Sequence, residues 1–299
     1  MTALETKLAG WTVPSSTTEQ DKQDRTERMI REAINAHPAF QTLSQKVYAK
    51  GSYANNTNVR SDSDVDIAVE CTNLFYYDKT SPDLGTSITP YSGEWGDPQT
   101  LRNELIAALR AKFGSDVDTS GSTAIQVHSS SARVEADVVP CFEYRYYYSA
   151  SSWVEGARVY KTDGTHVENY PALQLTNGRN KNNRTNQAYK KVVRILKRLE
   201  NAMVLDGTHR EVPSFFVECL AYNCPDSLFA ASSWTAMVEG VLAHIYNYLD
   251  GAEPTNDGDR WLEVNDTKFL FHYEQKWTRK DARDFANAGW NYFGMGTRK

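Results

Sequence analysis

The chain has 299 residues, of which 40% are hydrophobic and 24% are charged, and its formal net charge is -5. This composition predicts an ordinary globular core in one large or two modest domains, and the acidic balance argues against a protein that coats nucleic acid. No stretch resembles a signal peptide or an apolar membrane span, so a cytoplasmic protein without a membrane partner is expected.

The spacing of the four cysteines excludes the common metal and redox motifs. The closest two, Cys219 and Cys224, fit no zinc or dithiol pattern. All four stand in apolar or aromatic surroundings, which predicts reduced thiols in the core at Cys71, Cys141, Cys219 and Cys224.

The first half of the chain predicts a small mixed sheet with helices. Ser16 and Glu19 resemble a capping signal for an amphipathic helix that ends before Pro38. A strand over residues 45–50 follows, and alternation predicts a second strand over residues 64–70. The sequence then predicts a long irregular segment at residues 71–98 and a helix at residues 100–113. Two strands follow at residues 117–127 and 132–143, and the aromatic residues 144–148 extend the second.

The second half is predicted to be helical. Residues 149–183, rich in Gly, Asn, Asp and Thr, hold the expected junction, which divides the chain into a core of residues 1–165 and a helical lobe of residues 166–299. Helical spacing predicts helices at residues 185–204, 215–222, 232–249 and 280–293. This order of elements predicts an α+β fold with two lobes and an active site in the cleft.

Two carboxylates open the second predicted strand. Asp64 and Asp66 have the same parity, so both side chains are expected on one face, and the apolar residues after them indicate burial. Charges at such a position are costly unless a cation compensates them. A third carboxylate is expected from another strand. Asp137 is the favoured candidate because its neighbours are apolar and Asp is short, and Glu135, which has the same parity, is the alternative.

Groups that suit a triphosphate surround this pair in the sequence. The turn Gly51-Ser52 offers a close backbone approach and a hydroxyl for phosphate oxygens. A later basic helix and the helix after it are expected to neutralise the triphosphate through Lys190, Arg194, Lys197 and Ser214. With two divalent ions, this set predicts nucleotidyl transfer.

Each motif alone is common in proteins that do other things. A Gly-Ser pair is usually a turn, Asp-x-Asp is usually an exposed loop edge, and a basic helical stripe is usually a solvated face. Asp62 is interpreted as a turn residue. The combined pattern is specific: Gly-Ser, eleven residues, Asp-x-Asp at a strand, and a distant strand Asp.

These residues resemble the polymerase-β-like nucleotidyltransferase superfamily. Its pattern of Gly-Ser, Asp-x-Asp and a third strand Asp is matched by Gly51, Ser52, Asp64, Asp66 and Asp137. The helical stretches at residues 183–198 and 213–223 are similar to the bacterial cGAS/DncV-like enzymes, and the likeness runs from about residue 45 to 290.

The resemblance implies a template-independent enzyme. Members condense NTPs, with two Mg²⁺ or Mn²⁺ ions, into a cyclic di- or trinucleotide second messenger for anti-phage defence, and no protein nucleophile is needed. A helix lysine and a following serine hold the triphosphate, which by position implies Lys197 and Ser214, with Lys190 as a further candidate. A regulatory protein partner encoded in a defence operon is implied as well.

Two alternatives remain open. A terminal nucleotidyltransferase that tails RNA or modifies a protein would carry the same carboxylates, although an RNA-tailing enzyme is expected to show a larger basic surface. A nucleotide-binding or antitoxin-like module without activity is the non-enzymatic alternative. The presence of all three carboxylates argues against it.

Overall fold

The computed structural model describes residues 2–14, 16–59, 64–84 and 91–296. The chain forms two compact units. One, the sheet unit, contains residues 15–54 and 60–172, and the other, the helical unit, contains residues 1–14, 55–59 and 173–299.

The helices and strands are numbered in chain order. The helices are α1 (Ala3–Trp11), α2 (Thr17–Ala36), α3 (Gly51–Ala54), α4 (Pro98–Phe113), α5 (Pro171–Arg184), α6 (Ala188–Leu205), α7 (Ser214–Asn223), α8 (Trp234–Tyr248) and α9 (Arg279–Tyr292). The strands are β1 (Gln45–Lys50), β2 (Val65–Lys79), β3 (Val117–Asp118), β4 (Ile125–Val127), β5 (Ala136–Ser149), β6 (Ser152–Tyr160) and β7 (His166–Asn169).

The strands of the sheet unit form a single mixed sheet. Its main order is β1-β2-β5-β4-β3, and β6 pairs with the later part of β5 and carries β7 on its outer side. Among the described strands, β2 and β5 are the only parallel pair, and the other pairs are antiparallel. The predicted α+β class, with a small mixed sheet and a helical C-terminal part, is confirmed.

Alternation along β2 decides which side chains face the helices. Val65, Ile67 and Val69 are fully buried in a core that they share with residues of α2 and α4. The intervening residues face the other side of the sheet, where Ala68 belongs to a smaller apolar cluster and Asp66 is half-buried. Asp66 therefore lies on the face of the sheet opposite the one that the helices cover.

The helical unit is built around α6. The apolar face predicted for this helix is confirmed, since Val192, Ile195, Leu196 and Leu199 are all fully buried. Residues of α7, α8 and α9 complete the same core, and α1 adds Leu8 to it.

Several predicted boundaries are wrong for identifiable reasons. Residues 71–79, predicted to be irregular, continue β2, because the ladder with β5 resumes after a register shift between Cys71 and Phe75. Residues 149–183, where no helix or strand was predicted, contain β6, β7 and nearly all of α5. Helix α6 begins at Ala188 instead of 185, because Asn186 and Gln187 have positive φ angles of 48° and 65°.

Other sequence predictions are confirmed. The strand at residues 45–50 and the aromatic extension of β5 are present, and all four cysteines are buried free thiols. Helix α1 was not predicted; Thr2 caps it by accepting a hydrogen bond from the Glu5 N–H. Across the described part of the chain, no helix is both long and apolar enough to cross a membrane.

Candidate active site

Four side chains line up across the sheet unit. Lys50 of β1 is the register partner of Asp66 on β2, which pairs with Asp137 on β5, which in turn pairs with Gln126 on β4. Directly opposed residues of neighbouring strands project to the same face. We call these four residues the carboxylate row. It brings together two of the predicted acidic residues, Asp66 and Asp137.

The row places two like charges next to each other in a partly buried setting. Burial raises the pKa of Asp137, and the neighbouring Asp66 raises it further, while Gln126 and Lys50 act in the opposite direction. The Asp137 Oδ1 atom is buried and has no hydrogen-bond partner within the described residues. A carboxylate oxygen in this state still needs a proton or a cation.

Gly51 lets the chain turn directly against Asp66. It connects β1 to the short helix α3 with a φ of 69°, and a Cβ atom there would lie 2.1 Å from Asp66 Oδ2. A side chain is therefore excluded both by the backbone conformation and by the carboxylate. Ser52 follows in α3 and is half-buried.

Asp64 and Glu135 lie beside the row rather than in it. Asp64 is exposed, directly before β2, and lines a cleft of about 560 Å³ with Glu135 and Arg133. The Glu135 carboxylate already has partners: His128 Nδ1 lies 2.7 Å from Oε1, and the Ser129 N–H donates to Oε2 at 3.0 Å. The same contact raises the pKa of His128.

These environments favour Asp137 over Glu135 as the second acidic ligand, because Asp137 Oδ1 has no described partner and Glu135 has two. Asp62 lies outside the described residues. Among the residues that the structure describes, no three His, Cys, Asp or Glu side chains converge closely enough to hold a metal ion. The described geometry thus supplies a carboxylate pair, not the complete predicted triad.

The carboxylate pair fits a divalent cation. Hard divalent ions take carboxylate oxygens as ligands, and Asp137 Oδ1 is a buried oxygen that lacks a partner in the described structure. The absence of a side chain at Gly51 makes room for the Asp66 carboxylate itself. The ligands that the sequence predicts for such ions remain Asp64, Asp66 and Asp137.

Lys197, predicted to bind phosphate, lies in a buried cluster of the helical unit. Its ammonium donates to Thr57 Oγ1 at 3.1 Å and to Glu218 Oε2 at 3.0 Å. Thr57 and Asn55 also donate to the Glu218 carboxylate. The two charged side chains are only 3% and 1% exposed. This geometry supports a structural role for Lys197, and its phosphate-binding role stays a prediction.

Lys190 and Ser214 have different surroundings. Lys190 is half-buried on α6, and its pKa is lowered, mainly by burial, with Arg179 and Arg194 contributing and Glu218 opposing. Ser214 is the exposed first residue of α7. Arg194 donates to the carbonyls of Thr12 and Asn56.

Lys50 and Gln126 were missed by the sequence analysis. The predicted strand over residues 45–50 already contained Lys50, but nothing in the sequence fixed its pairing with Asp66. Gln126 lay in the predicted strand over residues 117–127, and only the observed ladder places it beside Asp137.

The Lys197 cluster generates a stability prediction. Lys197→Met leaves the Glu218 charge buried without its counter-ion, so we expect the free energy of unfolding to fall by about 3–5 kcal/mol. Urea denaturation measures this. Lys191→Met is the matched control on the same helix; it removes one cation–π contact with Trp234 and is expected to cost about 1 kcal/mol or less. Equal losses in the two variants would contradict a structural role for Lys197.

Known proteins resemble this chain along nearly its whole length. Residues 176–294 match the cGAS/DncV-like nucleotidyltransferase C-terminal helical domain. A cyclic dipyrimidine nucleotide synthase CdnE from Legionella pneumophila is 35% identical over 288 residues, which cover 94% of this chain and 95% of the relative.

Solved structures show the same likeness. The Elizabethkingia meningoseptica CdnE cyclic dinucleotide synthase with GTP and Apcpp has a TM-score of 0.80 and 32% identity, covering 97% of this chain and 98% of that one. The Rhodothermus marinus CdnE c-UMP-AMP synthase with Apcpp and Upnpp has a TM-score of 0.81 and 28% identity, covering 99% of both chains. Since relatives of this similarity are nucleotidyltransferases along nearly their full length, the chain belongs to the bacterial cGAS/DncV-like nucleotidyltransferase family and is an enzyme of that class.

Proposed function

We propose that this enzyme condenses NTPs, without a template, into a cyclic di- or trinucleotide. The observation that carries the proposal is the pairing of Asp66 with Asp137 beside Gly51, which leaves a buried carboxylate oxygen for a cation. Support also comes from the relatives, which are named as cyclic nucleotide synthases, and from the nucleotides in their solved structures. Use of the product as a messenger in anti-phage defence rests on the family resemblance alone.

The proposed chemistry assigns a role to each residue of the sheet unit's site. Asp66 and Asp137, with Asp64 as the third ligand, would hold two Mg²⁺ or Mn²⁺ ions. When bound, such ions lower the pKa of an attacking hydroxyl and offset the charge of the triphosphate. Gly51 allows the backbone N–H groups of α3 to approach phosphate oxygens, and Ser52 donates its hydroxyl to one of them.

Lys190 and Ser214 are better candidates for phosphate binding than Lys197. Within the described residues, Lys190 has no ion-pair partner at 4 Å or less, whereas Lys197 is paired with Glu218. Burial and nearby arginines lower the pKa of Lys190, and a phosphate would relieve that repulsion. Ser214 adds a hydroxyl and the free N–H groups of a helix start.

The product itself tests the proposed function. Incubation with labelled NTPs and Mg²⁺ or Mn²⁺ should yield material that resists phosphatase, because a closed ring has no terminal phosphate. Mass spectrometry then identifies the bases and the ring size. If no phosphatase-resistant product forms, the proposed cyclisation is contradicted. If label enters only an added RNA acceptor, the enzyme is a terminal nucleotidyltransferase instead.

Asp137→Asn separates a metal ligand from a structural residue. Loss of an outer-shell partner typically reduces activity about 10–100-fold. Loss of a direct ligand should reduce it further. The pKa of Asp137 is raised in the fold, so its ionised form destabilises the protein at neutral pH. The metal-free variant should therefore have a Tm at pH 7 equal to or above that of the wild type. This advantage should shrink as the pH falls below the raised pKa of Asp137 and be gone below the ordinary Asp pKa of 3.8.

Thermal unfolding without metal and product assays with metal measure the two effects. Glu135→Gln is the discriminating companion, because it has the same strand and parity but its carboxylate is held by His128 and Ser129. A larger loss of activity in Glu135→Gln than in Asp137→Asn would transfer the ligand role to Glu135.

Gly51→Ala tests the close approach of the backbone to Asp66. The new Cβ must displace Asp66 Oδ2, and a misplaced carboxylate no longer orients the reacting groups. Activity should therefore fall by at least about tenfold. The matched control is Gly164→Ala, where φ is 84° but no atom lies within 4 Å of the added Cβ. Both variants should lose about 1–2 kcal/mol of stability from the left-handed backbone. Equal activity in the two would argue against the Gly51–Asp66 contact.

A further inference from the structure

Lys50 stands at one end of the carboxylate row. Its ammonium nitrogen lies 3.4 Å from Asp66 Oδ1, and the two side chains are 23% and 33% exposed. It is the register partner of Asp66 on the side away from Asp137. Across four neighbouring strands, the row thus consists of a cation, two carboxylates and an amide, in that order.

The two oxygens of Asp66 have different neighbours. Oδ2 lies against the backbone of Gly51, where a Cβ would come within 2.1 Å. Oδ1 receives the ammonium of Lys50. Asp137 Oδ1, by contrast, is buried with no partner in the described structure. A cation entering the row therefore meets an available oxygen on Asp137 but competes with Lys50 for Asp66 Oδ1.

From this geometry we infer that Lys50 is an exchangeable counter-ion. It stabilises the Asp66–Asp137 pair in the metal-free enzyme, weakens the binding of a divalent cation, and leaves Asp66 Oδ1 when the cation binds. This inference rests on the proposed metal-binding role of the row. It makes Lys50 a positioning residue, because it acts through Asp66 rather than on a substrate.

The contact has the properties of an exchangeable pair. At 3.4 Å it is longer than the usual charge-assisted hydrogen bond of about 2.7–2.9 Å. Its side chains are partly exposed, so water can solvate the ammonium once it leaves. A divalent cation carries twice the charge of the ammonium and can contact both carboxylates, which favours the exchange.

Lys46 provides a matched control on the same strand. It has the same parity as Lys50 and pairs with Glu70 at 3.5 Å. Four residues along a strand separate Lys46 from Lys50 in sequence, a distance of about 13 Å, which exceeds the Debye length of about 10 Å at 0.1 M salt. Lys46→Gln therefore removes the same charge without reaching the row.

Mn²⁺ binding to the full chain, in the absence of nucleotide, tests the inference. Lys50→Gln should tighten Mn²⁺ binding on the order of tenfold, since one repulsive charge is removed next to the cation. Lys50→Arg and Lys46→Gln should bind as the wild type does. Electron paramagnetic resonance of free Mn²⁺ or calorimetry measures the affinities. Unchanged or weaker binding by Lys50→Gln would overturn the inference.

Thermal unfolding gives a second readout that activity does not enter. Without metal, Lys50→Gln should have a lower Tm than the wild type, because the two carboxylates then repel each other without a counter-ion. With saturating Mn²⁺ this difference from the wild type should disappear. A difference of the same size with and without Mn²⁺ would show that Lys50 is a fixed structural partner, contrary to the inference.

The wild-type enzyme supports a test that needs no substitution. Amine-reactive labelling followed by mass spectrometry should show higher reactivity of Lys50 when Mn²⁺ is added, with Lys46 unchanged as the internal reference. Constant Lys50 labelling in an enzyme that binds Mn²⁺ refutes the exchange. A wild-type enzyme that binds no Mn²⁺ at all refutes the proposed metal site itself, so the two failures are distinguishable.

Discussion

The parallel register of β2 against β5 is the constraint on which the site depends. It sets Asp66 opposite Asp137 and Val65 opposite Ala136. A slip of one residue would turn the carboxylates toward the helix-covered core and bring buried side chains to the open face. The apolar residues on either side of Asp66 prevent this, since Val65 and Ile67 are fully buried beneath α2 and α4. Core packing therefore holds together two charges that repel each other.

The neighbours of the pair reduce this repulsion without removing it. The Lys50 ammonium contacts Asp66, and Gln126 contributes an amide to Asp137, whose pKa nevertheless stays above its ordinary value. The buried Asp137 oxygen without a described partner is the remaining cost. A site built in this way is less stable by itself than with a cation, and this difference in free energy is what binding a cation recovers.

Local patterns predicted which residues share a face, but not what lies opposite them. Parity along one strand was enough to place Asp66 on the face opposite Val65 and Ile67, and Asp137 was recognisable as a charge among apolar neighbours. Lys50 could not be assigned, because strand pairing is a long-range property. For the same reason the basic stripe of α6 looked solvent-facing or phosphate-facing, although Lys197 has its partner, Glu218, on α7.

The Lys197–Glu218 and Lys50–Asp66 pairs thus differ in burial and in hydrogen bonding. Lys197 and Glu218 are almost fully buried, and the carboxylate accepts further hydrogen bonds from Asn55 and Thr57. Breaking that pair leaves a charge where water cannot reach it, so the pair is permanent. The contact of Lys50 with Asp66 is long and partly exposed, so solvent can take over the ammonium at little cost. Burial and the number of hydrogen bonds therefore separate a lysine that holds the fold together from one that can yield its place to a metal ion.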